Sequence, residues 1–235
     1  MGLATGSTPL ETYACLIEAC TKGVISFKEV RTFNLDEYVG IPPDHPRSYR
    51  YFMDMELFSR IDILPENTHI PIGYHVDPYE SSKNYEKEIE KAGGVDLQIL
   101  GIGSNGHIGF NEPSSSLNSR TRIKSLTRQT IEDNARFFKQ GEFQPIQAIT
   151  MGIKTIMEAD TIILIAYGAS KAKSVKAAIE GPVSSFCPAS ILQFHEKAVF
   201  VIDEQAASLL ENKQYYEHVD ELTAHGENFY KFIDI

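Results

Sequence analysis

A glycine-rich segment at residues 101–113 contains the side chains best suited to acid–base chemistry. It reads Gly-Ile-Gly-Ser-Asn-Gly-His-Ile-Gly-Phe-Asn-Glu-Pro, and the three glycines among its first six residues allow the backbone to approach a ligand closely. The imidazole of His107 can exchange a proton near neutral pH, and Glu112 could orient or charge it. A buried, hydrogen-bonded core histidine is the alternative. The segment is not a dinucleotide-binding motif, because residues 111–113 interrupt the helix that such a motif requires.

Two carboxylates, Asp36 and Glu37, follow a short apolar run that is typical of a buried strand. At the end of such a strand a carboxylate is partly buried, which raises its pKa towards that of a useful base. Successive side chains of a strand point to opposite faces. We therefore expect Asp36 and Glu37 to point in opposite directions, with at least one of them at a site. The competing interpretation is that Asp36 is a turn or cap residue.

Three features could bind an anion. The first is a segment before a predicted helix, made of Thr5, Gly6, Ser7 and Thr8. Residues 8–11 have the pattern of a capping box with proline at the first helical position, and free N–H groups at a helix start favour a phosphate. The second is Lys171, a cation near a predicted helix N-terminus, where the macrodipole opposes it unless an anion binds. The third is a window of six basic and two acidic residues at 120–139.

These residues fall where predicted strands end. The apolar runs that predict buried strands are 30–35, 97–101, 161–167 and 198–203. Helix-period segments lie between them, including 79–91 and 170–179, each followed by glycine. The alternation predicts a single α/β domain over residues 1–235, with three α/β/α layers and a mainly parallel, Rossmann-like open sheet. Ligands bind such sheets at the carboxyl ends of strands, where the strand order reverses, so we expect the loops to converge on one crevice there.

Composition excludes several classes of protein. The chain has 235 residues, 42% of them hydrophobic, and a formal net charge of −10, so it can bury a core but has no general attraction for nucleic acid or an anionic membrane. Its three cysteines and seven histidines have no spacing typical of disulfide frameworks or metal sites. We therefore expect no metal, no nucleic-acid or membrane partner, and a cytoplasmic location. Cys15 and Cys20 fall within a predicted amphipathic helix, and we expect both to lie in or near the core.

Four motifs in the same order make the chain resemble the glucosamine-6-phosphate deaminase family, also called the glucosamine-6-phosphate isomerase family. They are Phe33-Asn34-Leu35-Asp36-Glu37-Tyr38-Val39-Gly40, the 103–113 run, Ser119-Arg120-Thr121-Arg122-Ile123-Lys124 and Asn134-Ala135-Arg136-Phe137-Phe138. The similarity extends over nearly the whole chain. It implies hydrolysis of a small sugar phosphate, glucosamine 6-phosphate, to fructose 6-phosphate and ammonia by ring opening, aldose–ketose isomerisation and loss of the amine. It implies no cofactor.

The resemblance also implies roles for individual residues. His107 would assist ring opening at the ring oxygen, Glu112 would partner it, and Asp36 would move the proton between C2 and C1. The substrate phosphate would be held by Thr5, Gly6, Ser7, Thr8, Arg136 and Lys171. A second site, for the effector N-acetylglucosamine 6-phosphate, would use Ser115, Ser116, Arg122 and Lys124. Members with that site form hexamers, whereas other members are monomers, so a homo-oligomer is one expectation.

The chain departs from the family pattern in two places. Asn105 stands among the catalytic residues where many members have Asp; it can hydrogen-bond His107 but cannot supply negative charge, so the pH optimum could move. Only Met1-Gly2-Leu3 precedes the phosphate loop, so the N-terminal strand and an earlier helix look curtailed. We expect unpaired backbone groups in the neighbouring strands, and lower stability or activity than a version with ~30 more N-terminal residues.

Two other functions compete with this one. A 6-phosphogluconolactonase shares the fold and a glycine–histidine loop, but the Phe-Asn-Glu-Pro and Leu-Asp-Glu-Tyr strings favour the deaminase. The other is a catalytically weak or silent sugar-phosphate sensor, like the effector domains of certain transcription regulators. The presence of Asp36, His107 and Glu112 together favours turnover over such a sensor.

Overall fold

Short apolar runs form the strands, and amphipathic segments between them form the helices. The computed structural model describes residues 1–128, 131 and 143–225. The strands are β1 (Gly2–Leu3), β2 (Thr32–Asn34), β3 (Asp36–Tyr38), β4 (Thr68–His69), β5 (Leu97–Gly101), β6 (Arg122–Ser125), β7 (Gln147–Thr150), β8 (Thr161–Ala166) and β9 (Ala198–Ile202). The helices are α1 (Leu10–Thr21), α2 (Tyr49–Glu56), α3 (Pro78–Lys91), α4 (Ile153–Met157), α5 (Ala172–Ile179) and α6 (Lys213–His225), with 3-10 turns at Phe58–Arg60, Pro65–Asn67, Ala169–Lys171 and Pro188–Phe194.

The central sheet has the order β4-β2-β1-β5-β8-β9, and all of its neighbouring strands are parallel. From β1 the chain builds outwards through β2 and β4, and it then returns to build outwards on the other side through β5, β8 and β9. The strand order therefore reverses between β1 and β5, which is where open α/β sheets bind ligands. Each predicted strand region contains a strand of this sheet, so the prediction of a mainly parallel sheet is confirmed.

Helices cover the central sheet on both faces. On one face, α1 and α2 pack through a core that includes Tyr13 and Met53. On the other, α3 and α5 pack through a core that includes Tyr85 and Val175. Each of these side chains is buried, and burying a large apolar side chain contributes about 1.5–3 kcal/mol. The three-layer, Rossmann-like α/β/α architecture is thus confirmed.

A second, antiparallel sheet in the order β3-β7-β6 carries Asp36. The expectation that Asp36 and Glu37 end a strand of the parallel sheet is wrong, because that strand ends at Asn34. Leu35 is the crossing point: its N–H donates to the carbonyl of Leu3 at 3.0 Å, but its own carbonyl accepts from Met151 at 2.6 Å. The chain therefore leaves the central sheet at Leu35 and pairs with β7 instead.

The amino end forms a strand inside the central sheet. Strand β1 has only two residues, yet Gly2 and Leu3 pair with Phe33 and Asn34 of β2, and Gly2 also pairs with Gln98 of β5. The unpaired neighbours expected beside a curtailed strand are therefore not found at residues 2–3. None of the helices in the described part of the chain is long and apolar enough to cross a bilayer.

The start of α1 differs from its prediction. Thr8 does not cap the helix; Pro9 takes the N-cap position, and no side chain accepts a hydrogen bond there. The cause is the turn at Gly6, whose φ is +89°, after which the Thr8 side chain lies against Gly101. Cys15, on the same helix, is exposed, so its prediction as a core residue is wrong. The predicted helices at 79–91 and 170–179 correspond to α3 and α5 and are confirmed.

Candidate active site

A pocket of about 270 Å³ opens where the strand order reverses, between the loops that follow β1 and β5. Several side chains predicted to carry chemistry line it. They are Thr5 and Thr8 after β1, His107 after β5, Asp36 on β3 and Lys171 before α5. Residues far apart in sequence thus share one pocket, which holds a carboxyl, an imidazole and an ammonium group.

Asp36 brings a buried carboxyl to this pocket. Only 5% of the residue is exposed. Burial is the main cause that raises the pKa of Asp36 from 3.8 to about 8; the charge of Glu37 raises it further, and a hydrogen bond from the backbone of Phe110 lowers it. A carboxyl with a pKa near the working pH is an effective general base. Asp36 is therefore chemically suited to take and return a proton.

A tight turn holds His107 at the pocket wall. The N–H of Gly106 donates to the carbonyl of Gly103 at 3.0 Å, and the N–H of Gly103 donates to the carbonyl of His107 at 2.9 Å. A Cβ on Gly103 would lie only 2.3 Å from Cε1 of His107. Glycine at this position therefore allows the imidazole to lie directly against the backbone.

Glu112 and Asn105 lie behind the imidazole. The side chain of Glu112 is 4% exposed, and its Oε2 lies 3.3 Å from Nδ1 of His107. The Asn105 amide donates to the same oxygen at 2.8 Å and accepts from the backbone N–H of His107 at 3.2 Å. Within the described ranges Nδ1 has no hydrogen bond of good geometry. Asn105 thus connects the carboxylate of Glu112 to the backbone of His107 and fixes their relative positions.

The predicted phosphate residues occupy two environments. Thr5 and Thr8 are half-buried in the pocket wall, whereas Gly6 and Ser7 are exposed and do not line it. Lys171 also lies in the pocket wall, at the N-cap position of α5. Arg136 lies outside the described residues. The pocket therefore carries positive charge at the end formed by the loop before α5.

The four predicted effector residues lie outside this pocket. Arg122 and Lys124 share one face of β6, and Arg122 donates to Oδ1 of Asn111 at 2.8 Å. Burial lowers the pKa of Lys124, as does the charge of Arg122, while Glu112 raises it. Ser115 is buried, and Ser116 is exposed and accepts from the backbone of Asn118 at 3.3 Å. The two cations are thus close to each other and electrostatically linked to Glu112.

The sequence did not point to Tyr49, which also lines the pocket. Tyr49 is the first residue of α2, and its ring packs between Tyr38, at 4.9 Å between centroids, and Phe110, at 6.1 Å. No short pattern marks this contact, because it joins three separate segments. Glu37 lines a larger cavity, of about 830 Å³, on the other side of β3. Asp36 and Glu37 do point in opposite directions, as predicted.

A metal site is not formed by the described residues. No group of three or more His, Cys, Asp or Glu side chains among them is arranged to hold an ion.

The fold and the site together define a Rossmann-like α/β protein whose pocket combines a carboxyl, an imidazole and an ammonium group. The chain belongs to the family described as glucosamine-6-phosphate isomerases/6-phosphogluconolactonase, whose model matches residues 1–201. It is 58% identical over 230 residues to a glucosamine-6-phosphate deaminase of Hahella chejuensis, covering 98% of this chain and 88% of the relative. It is 57% identical over 220 residues to one of Shewanella loihica, covering 94% and 82%.

Two solved structures are similar to this chain. A monomeric glucosamine-6-phosphate deaminase matches with a TM-score of 0.85 and 44% identity, over 88% of this chain and 86% of that one. A 6-phosphogluconolactonase from Thermotoga maritima matches with a TM-score of 0.67 and 21% identity, over 86% and 83%. The second likeness establishes the shared fold alone.

Proposed function

We propose that this protein is a glucosamine-6-phosphate deaminase, which converts glucosamine 6-phosphate and water to fructose 6-phosphate and ammonia. The observation that carries the proposal is that Asp36 and His107 line one pocket, in a chain that is 57–58% identical to relatives named for this activity. An aldose–ketose isomerisation needs a base beside an open-chain sugar and a group that opens the ring. Asp36 and His107 are chemically suited to these two tasks.

Ring opening is the task of His107. Its imidazole accepts the proton of the C1 hydroxyl and returns a proton to the ring oxygen as the bond between C1 and that oxygen breaks. Glu112, 3.3 Å from Nδ1, stabilises the imidazolium formed between the two transfers. Asn105 holds Glu112 in place.

Isomerisation is the task of Asp36. Its carboxylate takes the proton from C2 of the open-chain aldehyde while the C1 oxygen gains a proton, which forms the enolamine. It then delivers its proton to C1, and the nitrogen loses a proton as its double bond to C2 forms, which leaves an imine at C2. Water then adds to C2, and the bond between C2 and nitrogen breaks to release ammonia. Because the same carboxyl takes and returns the proton, a pKa close to neutral is an advantage over the usual 3.8.

The phosphate of the substrate binds at the other end of the pocket. Lys171 supplies charge, and the hydroxyls of Thr5 and Thr8 supply donors. We propose that the backbone of Gly6 and Ser7, and the side chain of Arg136, complete this site. Substituting Lys171→Met is expected to raise KM more than it lowers kcat, because the phosphate is bound equally in ground and transition states.

The two competing functions have weaker support. The 6-phosphogluconolactonase from Thermotoga maritima is 21% identical to this chain, against 44% for the solved deaminase. A silent sensor would have no need of a buried carboxyl with a raised pKa beside a ligand pocket, since such burial weakens the fold. The deaminase therefore accounts for more of the site.

Ammonia release from glucosamine 6-phosphate tests the proposal directly. The wild-type chain should release ammonia and fructose 6-phosphate in equal amounts. Asp36→Asn and His107→Gln should each lose at least ~10²-fold in kcat while still binding the sugar phosphate in calorimetry. A folded wild-type chain that binds the sugar phosphate without turnover would establish the sensor instead. Hydrolysis of 6-phosphogluconolactone without deamination would establish the lactonase.

Assembly, domain organisation and location are further parts of the proposal. We propose an effector site at Ser115, Ser116, Arg122 and Lys124, in which case N-acetylglucosamine 6-phosphate activates the enzyme and the chain forms a hexamer. Sedimentation and substrate-saturation curves with and without that sugar test this, and a hyperbolic, unresponsive curve from a monomer would remove it. We also propose one domain over residues 1–235 and a cytoplasmic location, in keeping with three free cysteines; cell fractionation tests the location.

A further inference from the structure

Glu37 is a buried carboxylate that the proposed reaction leaves without a task. It is 4% exposed and follows Asp36 in β3, with its side chain on the side away from the pocket. Its Oε1 accepts from the backbone N–H groups of Tyr38 at 2.8 Å and Tyr49 at 2.9 Å, and its Oε2 accepts from that of Arg50 at 2.9 Å. Burying a carboxylate costs several kcal/mol unless donors surround it. The three N–H donors meet that requirement.

These hydrogen bonds join the strand of Asp36 to the first turn of α2. Tyr49 and Arg50 begin that helix, where N–H groups have no partner within the helix and the macrodipole is positive. Ser48 caps the same turn by accepting from Tyr51 at 3.0 Å. The helix start is thus bound at two points, one of which is the neighbour of Asp36 in the chain.

The same turn contributes to the wall of the catalytic pocket through Tyr49. Because Glu37 binds the backbone of Tyr49, it fixes the distance between that wall and β3. Its negative charge also lies directly behind Asp36 along the strand. Both effects act on the pocket from a residue that does not touch it.

We propose that Glu37 is a positioning residue for the proton-transfer step: it holds α2 against β3 and places a negative charge behind Asp36. This inference rests on the proposed function, because the proton concerned is the one that Asp36 transfers. Among the causes that raise the pKa of Asp36, the charge of Glu37 is second to burial. Burial raises the pKa of Glu37 itself to about 7, against the opposing effect of its three hydrogen bonds. The three N–H donors on its oxygens favour the ionised form of Glu37.

Other titratable groups surround the pair, and the experiment has to separate them from Glu37. His107 and Lys171 share the pocket with Asp36. On the opposite side of β3, the titratable groups packed around Glu37 or lining its cavity are Tyr38, Tyr49, Arg50, His69, Tyr74, Asp77, Glu80, Tyr85 and Glu88. The Arg50 side chain pairs with Asp54 at 3.0 Å and that of His69 faces Glu88 at 3.5 Å, so both of these side chains face other carboxylates than Glu37.

The deciding experiment compares Glu37→Gln with Glu37→Asp. Gln keeps the size but removes the charge, so the carboxyl ¹³C signal of Asp36, assigned by its loss in Asp36→Asn, should titrate about one pH unit lower. The rising limb of kcat against pH should move down with it. Asp keeps the charge but is one methylene too short to reach both helix N–H groups, so kcat should fall at every pH while the limb stays within a few tenths of a unit.

Three outcomes would overturn the inference. One is an Asp36 signal in Glu37→Gln that titrates as in the wild type. Another is a Glu37→Asp variant with wild-type kcat. If Glu37→Gln does not fold, the wild-type titration decides, because the Asp36 signal should show a second inflection as Glu37 titrates, and a single inflection would overturn the proposal. A wild type without deaminase activity would instead reject the proposed function, while the ¹³C titration would still test the link between the two carboxyls.

Discussion

At the scale of single residues, Asp36 shows how burial prepares a carboxyl for proton transfer. Its raised pKa means that it holds its proton well into the neutral range, and a base acts only when ionised. We therefore expect kcat to rise with pH through about pH 8 and to fall as the pH drops below it. Asp36→Asn should lower kcat by ~10²–10⁴-fold and remove this limb, with little change in the Kd for fructose 6-phosphate. A pH profile that is flat between 6 and 9 would contradict the assignment of Asp36 as the base.

Asn105 gives a second test at this scale. Its amide donates to Glu112 at 2.8 Å, so Asn105→Asp would place two carboxyls in direct contact. Two carboxyls in contact do not both lose their protons at the pH at which an isolated carboxyl does, so one of them keeps its proton to a higher pH. We expect the acid limb of kcat/KM to become steeper, because a second proton then has to be lost besides that of Asp36. Asn105→Ser is the matched control, because it loses the contact without adding charge and should lower kcat with the limb unmoved.

At the scale of elements, the turn at 103–107 positions the imidazole. Gly103→Ala would place a methyl group 2.3 Å from the imidazole of His107, so the ring has to move. A displacement of about 1 Å is enough to cost ~10²-fold in kcat. The fold should survive, since the atom in contact belongs to a side chain, and the urea midpoint should fall only moderately.

Gly93→Ala is the control for that substitution. Gly93 follows α3 with a φ of +90°, and nothing lies within 4 Å of the position its Cβ would take. The change should cost about 1–2 kcal/mol in the free energy of unfolding through backbone strain and leave kcat unchanged. If Gly103→Ala kept the wild-type kcat, close contact between His107 and the turn would not matter for catalysis.

The elements also show what the sequence could reveal. Strands β5 and β8 are predominantly apolar runs, and His107 follows β5 in a glycine-rich turn, so composition alone located them. The departure of the chain at Leu35 could not be predicted, because it depends on a bond from Met151. Tyr49 and Glu37 meet through backbone N–H groups, which no side-chain pattern encodes. The capping pattern at Thr8 failed because the turn at Gly6 directs that side chain to the pocket.

At the scale of the whole molecule, the helical layers on the sheet determine where shortening a side chain lowers the free energy of unfolding. Leu164 on β8 is fully buried in the core beneath α5, whereas Leu209 is 44% exposed. Leu164→Ala should lower the free energy of unfolding by about 2–5 kcal/mol, because it leaves a cavity in close-packed surroundings. Leu209→Ala should change it by less than about 0.5 kcal/mol. Equal urea midpoints for these two chemically identical substitutions would contradict the layer arrangement.

The two adjacent buried carboxyls should also make the stability of the whole molecule depend on pH. The pKa of Asp36 rises from 3.8 to about 8 and that of Glu37 from 4.5 to about 7 on folding, chiefly through burial. The folded chain thus binds more protons than the unfolded chain between these values, so this contribution to the free energy of unfolding is complete at low pH and is lost as the pH rises through about 7–8.

Asp36→Asn removes the titrating carboxyl and so isolates its contribution to the pH dependence of the free energy of unfolding. Each unit of pKa shift corresponds to about 1.4 kcal/mol, so the variant should be more stable than the wild type by several kcal/mol at pH 9. At pH 4, where the wild-type carboxyl in the folded chain is protonated, the two should differ little, and this comparison is an internal control. Urea unfolding of both proteins at the two pH values measures the difference. A wild type as stable as Asp36→Asn at pH 9 would mean that Asp36 is not desolvated, and the case for it as a base near neutral pH would fail with it.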